Sequence, residues 1–148
     1  GSVSHNVRAV WNYYLGFLDG NPARLDPLPP SQAGRRMVEY MGGSAAVMEK
    51  ARRDFDRGEY RWVAQVLDHV VSAEPQNREA RDLLADTLEQ LGYQTENATW
   101  RNFYLTGAQE LRTGVRRPPV SANRMESLRN LPLPMVFDYL AMSLNGPK

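Results

Sequence analysis

At 148 residues, with 18 Lys and Arg set against 17 Asp and Glu, the chain carries a formal net charge of +1. That balance gives no electrostatic basis for binding nucleic acid or an anionic membrane surface, and the absence of cysteine excludes disulfides, thiolate nucleophiles and sulfur-ligated zinc. A hydrophobic fraction of 42% suits one globular domain with a real core, and no apolar run approaches the roughly 20 residues that cross a bilayer.

The first helix is predicted to start near Ser4 or Asn6, both good caps, and to run to about Leu18. Its Val7, Val10, Trp11, Tyr14, Phe17 and Leu18 recur at three- and four-residue steps and form one sticky face. Asp19-Gly20-Asn21-Pro22 is expected to end it, and Pro27, Pro29 and Pro30 force the following loop into extended backbone. Ser31 is the expected cap of a second helix through Met41, stopped by Gly42-Gly43. Ser44 is the expected cap of a third, lined by Val47, Met48, Ala51 and Phe55. Gly58 is placed to take the left-handed conformation that stops a helix at low steric cost.

A fourth helix, about Tyr60 to Ala73, presents Val63, Val66, Leu67 and Val70. Asn77 caps a fifth, with Ala80, Leu83, Leu84, Ala85, Leu88 and Leu91 apolar and Gly92 at its end. Thr95 begins a sixth, continuing to about Arg112 through Ala98, Phe103, Leu105 and Leu111. Pro118-Pro119 makes a stiff connector, Ser121 caps a short helix to about Asn130, and a last amphipathic segment runs from Met135 to Leu144. No segment alternates cleanly enough to be a strand. The predicted architecture is all-α.

Ser44 to Asn77 spans one 34-residue period and carries Ala51, Phe55, Gly58, Tyr60, Leu67 and Pro75 where a tetratricopeptide repeat wants them. Arg78 onward repeats the scheme with Leu84, Ala85, Leu88 and Gly92, then drifts. Roughly three such repeats are needed for independent stability. Two hairpins must therefore borrow burial, from the first helix, from the tail or from a second copy of the chain. The predicted fold is thus tetratricopeptide-like helical hairpins with an extra N-terminal helix and a C-terminal helical tail.

His5 and His69 are the chain's 2 histidines, and neither lies in a metal-ligand spacing. His69 reads as a boundary histidine in mid-helix. His5, in the polar cluster Ser4-His5-Asn6 just before the first helix, reads from the residues alone as part of a cap. Asp54 and Asp56 point in different directions on a helix and read as solvent-facing charge. Trp11, Trp62 and Trp100 read as core or, more pointedly, interface aromatics. Nothing in these residues composes an active site.

Four segments together, SHNVRAVWNYYLGFLDGNPARLDPLPP, VEYMGG, GEYRWVAQVLDHVV and LADTLEQLGYQTENATWRNFYLTGAQELR, resemble the dimerisation domain of zinc-dependent alkylsulfatases of the metallo-β-lactamase superfamily, over about residues 3 to 113. The ending LPLPMVFDYLAMSLNGPK is similar to the start of the sterol-carrier-like domain that follows in those enzymes. The resemblance implies a slice of a larger hydrolase: residues 1–114 a helical dimerisation domain, 115–134 a linker with a short helix, and 135–148 the start of the next domain. It further implies an upstream domain that binds a pair of zinc ions and hydrolyses alkyl sulfate esters, a homodimer, no nucleic-acid or membrane partner, and a periplasmic or secreted parent. The fragment itself is expected to hold no cofactor and to be inactive alone. One site residue follows from the resemblance: His5, expected to approach the sulfate group at the domain boundary. The alternative is a free-standing tetratricopeptide-like adaptor that binds a peptide.

Overall fold

The computed structural model describes residues 2–16, 19–115 and 130–143, and among them every regular element is helical. In chain order these are α1 (Val3–Leu15), a 3-10 turn (Pro22–Arg24), α2 (Pro30–Tyr40), α3 (Ser44–Asp56), α4 (Tyr60–Ala73), α5 (Arg78–Gln94), α6 (Ala98–Thr113) and α7 (Leu133–Ser143). The chain divides into two compact units, residues 1–115 and 116–148. The first contains α1 to α6; α7 belongs to the second, and Leu133, Met135 and Phe137 along it are exposed. The short helix expected from Ser121 to Asn130 lies outside the described residues.

The core of the first unit forms around α4. Val63, Val66, Leu67 and Val70 recur at three- and four-residue steps and are all buried. Helices α2, α3 and α5 each pack against this helix. Val38 comes from α2, Val47, Met48 and Ala51 from α3, and Ala80 and Leu84 from α5. The α3–α4 hairpin turns at Gly58, which has φ +80° and open space around the missing Cβ. The α5–α6 hairpin is the second repeat, closed by Ala85, Leu91, Gly92 and Ala108.

Burial is lent by α2, not by the first helix. No residue of α1 is buried, whereas α2 lies closely along α4. Gly34 makes that approach possible: a Cβ there would stand 2.6 Å from the His69 carbonyl oxygen and 3.1 Å from the Ala73 nitrogen. Both obstacles are backbone, so neither can swing aside.

Several boundaries differ from the sequence reading, each for a local reason. The first helix starts earlier, because Ser2 is its cap and its Oγ accepts from the His5 N–H at 3.2 Å. His5 therefore sits inside the first turn, not before it. The helix stops at Leu15, where Gly16 takes φ +69°. Ser31 does not cap α2; Pro30 opens it with the φ already suited to a first turn. Ser44 is a helical residue, not a cap, and its hydroxyl donates to Glu74. Gly92 does not end α5, which continues to Gln94. Its hydrogen side chain instead admits α6, since a Cβ would lie 2.9 Å from Leu105 Cδ2. Thr95 does not begin α6; its hydroxyl donates back to the Leu91 carbonyl at 2.6 Å, and Asn97 is the cap. Asn77 caps α5 as expected, its Oδ1 accepting from the Ala80 N–H at 3.1 Å.

Two polar latches close the hairpins, one within each. Ser44 on α3 donates to Glu74, which also accepts from Asn77 Nδ2 at 2.8 Å. These hydrogen bonds, that of Ser44 first, hold the Glu74 carboxyl below its usual range. Arg112 on α6 forks onto Glu89 and Asp86 of α5, holding the Glu89 carboxyl down and the Arg112 guanidinium up.

The two tight glycines separate by mechanism. Gly34→Ala gains at most about 1 kcal/mol of helix propensity but drives a methyl into fixed backbone, an overpacking expected to leave a net loss of about 1–3 kcal/mol in urea unfolding. Gly58→Ala meets no atom and should lose only the left-handed penalty, about 1–2 kcal/mol. Acid titration provides a second check. Glu74 and Glu89 have folded-state pKa values below the usual 4.5, so their stabilisation is complete above that value and lost as pH falls through the folded values. Both groups are solvent-accessible, so the loss is small. Glu89→Gln should flatten the acid limb of a thermal-melt series and leave the neutral melting temperature little changed.

Candidate functional site

The apolar surface concentrates on α1. Val3, Val7, Val10 and Tyr14 follow one another at three- and four-residue steps, so they form one stripe along the helix, with Trp11 at its edge. Val7 is 61% exposed and Tyr14 76%. A shallow apolar concavity runs along this stripe, lined by Asn6, Val7, Val10, Trp11, Tyr14 and Leu15. Leu25 and Leu28 in the loop that follows are also exposed. A 13-residue helix of this kind is marginal alone in water, because helices under about 12–15 residues rarely repay their nucleation. Contiguous exposed apolar surface rimmed by polar groups marks an interaction site.

The rest of the unit meets α1 at a polar corner. His5 is the third residue of α1, after its Ser2 cap, and Trp100 is the third residue of α6, after its Asn97 cap. Two capped first turns thus face one another. Trp100 Nε1–H donates to His5 Nδ1 at 2.9 Å, and the rings meet edge-on with centroids 6.1 Å apart. Arg8, one turn further along α1, holds its guanidinium 5.7 Å from the Trp100 ring centre in a cation–π arrangement. The indole is itself held in place: Asn97 Oδ1 accepts from the Thr99 and Trp100 amides at 3.0 and 3.2 Å. Asn97 is buried, and its Nδ2 has no hydrogen-bond partner among the described residues. Beside this corner opens a cavity of about 700 Å³ whose walls include Arg8, Arg61, Gln65, Trp100, Phe103 and Tyr104. Two helix N-termini, Arg8 and Arg61 make it a place for negative charge.

His5 is thus placed at a junction between helices, half-buried, whereas His69 lies mid-way along α4 where its carbonyl faces α2. The two are not brought together. Among the described residues no three His, Cys, Asp or Glu side chains cluster as metal ligands would. Asp54 pairs with Arg53 and Arg57, and its side chain is 17% exposed, less solvent-facing than its sequence position suggested. Trp11 and Trp62 are 47% and 55% exposed, in keeping with surface aromatics that meet a partner. The role of Trp100 as the His5 partner could not be found from spacing, since 95 residues separate them.

A family model described as alkyl sulfatase dimerisation matches residues 1–114. The linear primary-alkylsulfatase of a Pseudomonas species is 52% identical over 148 residues, which are 99% of this chain and 22% of that protein. The alkyl/aryl-sulfatase BDS1 of Saccharomyces cerevisiae is 53% identical over 150 residues, covering 100% of this chain and 23% of the yeast protein. Among solved structures, the stereoselective inverting sec-alkylsulfatase Pisa1 from a Pseudomonas species superposes with a TM-score of 0.84 at 54% identity, over 98% of this chain and 23% of that one. The chain therefore spans less than a quarter of the length of the relatives it matches.

Proposed function

Because the chain belongs to the alkyl sulfatase dimerisation family, we propose that it joins two copies of a larger alkylsulfatase by burying the α1 stripe of each against its twin. The observation that carries this reading is a helix with a continuous apolar face and no buried residue. Fully burying a side chain such as Val or Leu is worth about 1.5–3 kcal/mol. Association itself costs about 4–15 kcal/mol, so a handful of such residues on each of two copies is enough. A pair related by a two-fold axis presents the same patch twice, which suits a single self-complementary stripe.

In the parent, a separate upstream domain holds the zinc ions and hydrolyses the sulfate ester, and α7 opens a further, sterol-carrier-like domain. Support for this comes from the names of the relatives, their greater length and the resemblance carried by the residues. His5 reaches from the domain boundary to the ester's sulfate group. Its Nδ1 is engaged by Trp100, which leaves the opposite edge of the ring for a ligand. Holding two catalytic units through this segment fixes where that edge stands relative to the chemistry.

Light scattering after size exclusion should show the chain as a dimer at micromolar concentration, and a strict monomer across that range would sink the reading. Val7→Asp with Val10→Asp should convert dimer to monomer while far-UV circular dichroism stays helical, because α1 contributes nothing to the core. In the full-length enzyme, His5→Ala should lower turnover of an alkyl sulfate at least tenfold without changing the dimer. Unchanged kinetics would remove the sulfate role from His5.

A further inference from the structure

Trp100 does more than pack. An indole N–H can only donate, so the ring nitrogen that it reaches must carry a lone pair. That nitrogen is His5 Nδ1, at 2.9 Å. A neutral imidazole has one donor and one acceptor nitrogen, so the proton of this ring sits on Nε2. We propose that Trp100 is a positioning residue that selects the Nε2–H tautomer of His5 and so makes the ring's outward edge a hydrogen-bond donor.

Among the described residues no other group competes for that role. The His5 backbone N–H is taken by Ser2 Oγ, and among the described residues Nε2 has no hydrogen-bond partner. Trp100 cannot drift, because Asn97 caps the turn that carries it and Arg101, one residue on, donates twice to the Thr95 carbonyl at 3.1 and 2.8 Å. Arg8 lies over the same indole. The arrangement presents an N–H and a guanidinium from neighbouring turns of α1, with the indole fixing both. Donors of that kind suit an acceptor-only group, the oxygens of a sulfate ester, and would turn away a ligand that itself had to donate. This deepens the reading of His5 given above and rests on it for the identity of the ligand, but not for the tautomer.

The tautomer can be measured directly on this chain, since two histidines are readily told apart. Long-range proton–nitrogen correlation spectra at a pH where His5 is neutral should show protonated Nε2 and bare Nδ1. A coupling between the Trp100 indole nitrogen and His5 Nδ1 should report the bond itself in the unaltered chain. Trp100→Phe keeps the ring and loses the donor; His5 should then relax to a mixture of tautomers. A wild-type ring already mixed, or protonated on Nδ1, overturns the proposal, as does a spectrum that Trp100→Phe leaves unchanged. In the full-length enzyme, Trp100→Phe should lower kcat about fivefold, the worth of one neutral hydrogen bond, with KM changed by less than about twofold. An unaltered kcat overturns the positioning role. Failure of the His5 reading is distinguishable: His5→Ala would then leave turnover intact, while the spectra of the unaltered chain would still show the Nε2–H form.

Discussion

Three helices pack against the same neighbour. The buried valine-rich stripe of α4, Val63, Val66, Leu67 and Val70, is covered jointly by α2, α3 and α5, and the rest of the first unit is arranged by that demand. A stripe on one helix ordinarily serves one partner or two. Serving three requires at least one of them to approach with almost no side chain, and Gly34 on α2 meets that requirement. The close approach brings α2 into the role that a further repeat would have had. Two hairpins therefore suffice where about three repeats are normally needed, because the missing layer is supplied by a helix that belongs to no repeat.

Once α2 has covered α4, nothing within the described unit is left to bury α1. Its stripe remains on the surface, and its contact with the body is made through polar and aromatic groups at one end, His5 and Arg8 on Trp100. This division has a functional consequence. A helix held at its first turn and with no buried residue can offer its flank to a second copy without loosening the core. The same first turn carries His5, so the proposed dimer stripe and that histidine share one element.

The legibility of the fold varied with the range of the interaction. Gly58, with φ +80°, and the Asn77 cap are local: the relevant groups lie within a few residues, and the sequence pattern displays them. The apolar steps of α3 and α4 are local in the same sense, and their buried residues are those the periodicity picks out. Gly92 looked like a stop for the same local reasons and is none, because its close contact is with Leu105 on another helix. Thr95 and Ser44 looked like caps, yet their hydroxyls are used elsewhere, on the Leu91 carbonyl and the Glu74 carboxylate. A side chain able to cap is also able to make another hydrogen bond, and propensity alone does not choose between them.

By itself, then, the sequence determined the helical class, the two hairpins, the position of most helices and an apolar first helix too rich for a solvent-facing role. All of these follow from contacts between residues three or four apart, where covalent geometry leaves few options. It also carried the family resemblance. Only the tertiary structure decided which helix would complete the core, and it chose the one with Gly34, since backbone can approach backbone there and not along α1. The tertiary structure alone also joined His5 to Trp100 across 95 residues, and with that bond set which nitrogen of the imidazole is engaged within the chain. Bonds between such distant positions depend on how whole helices are packed, and no spacing within the chain encodes them.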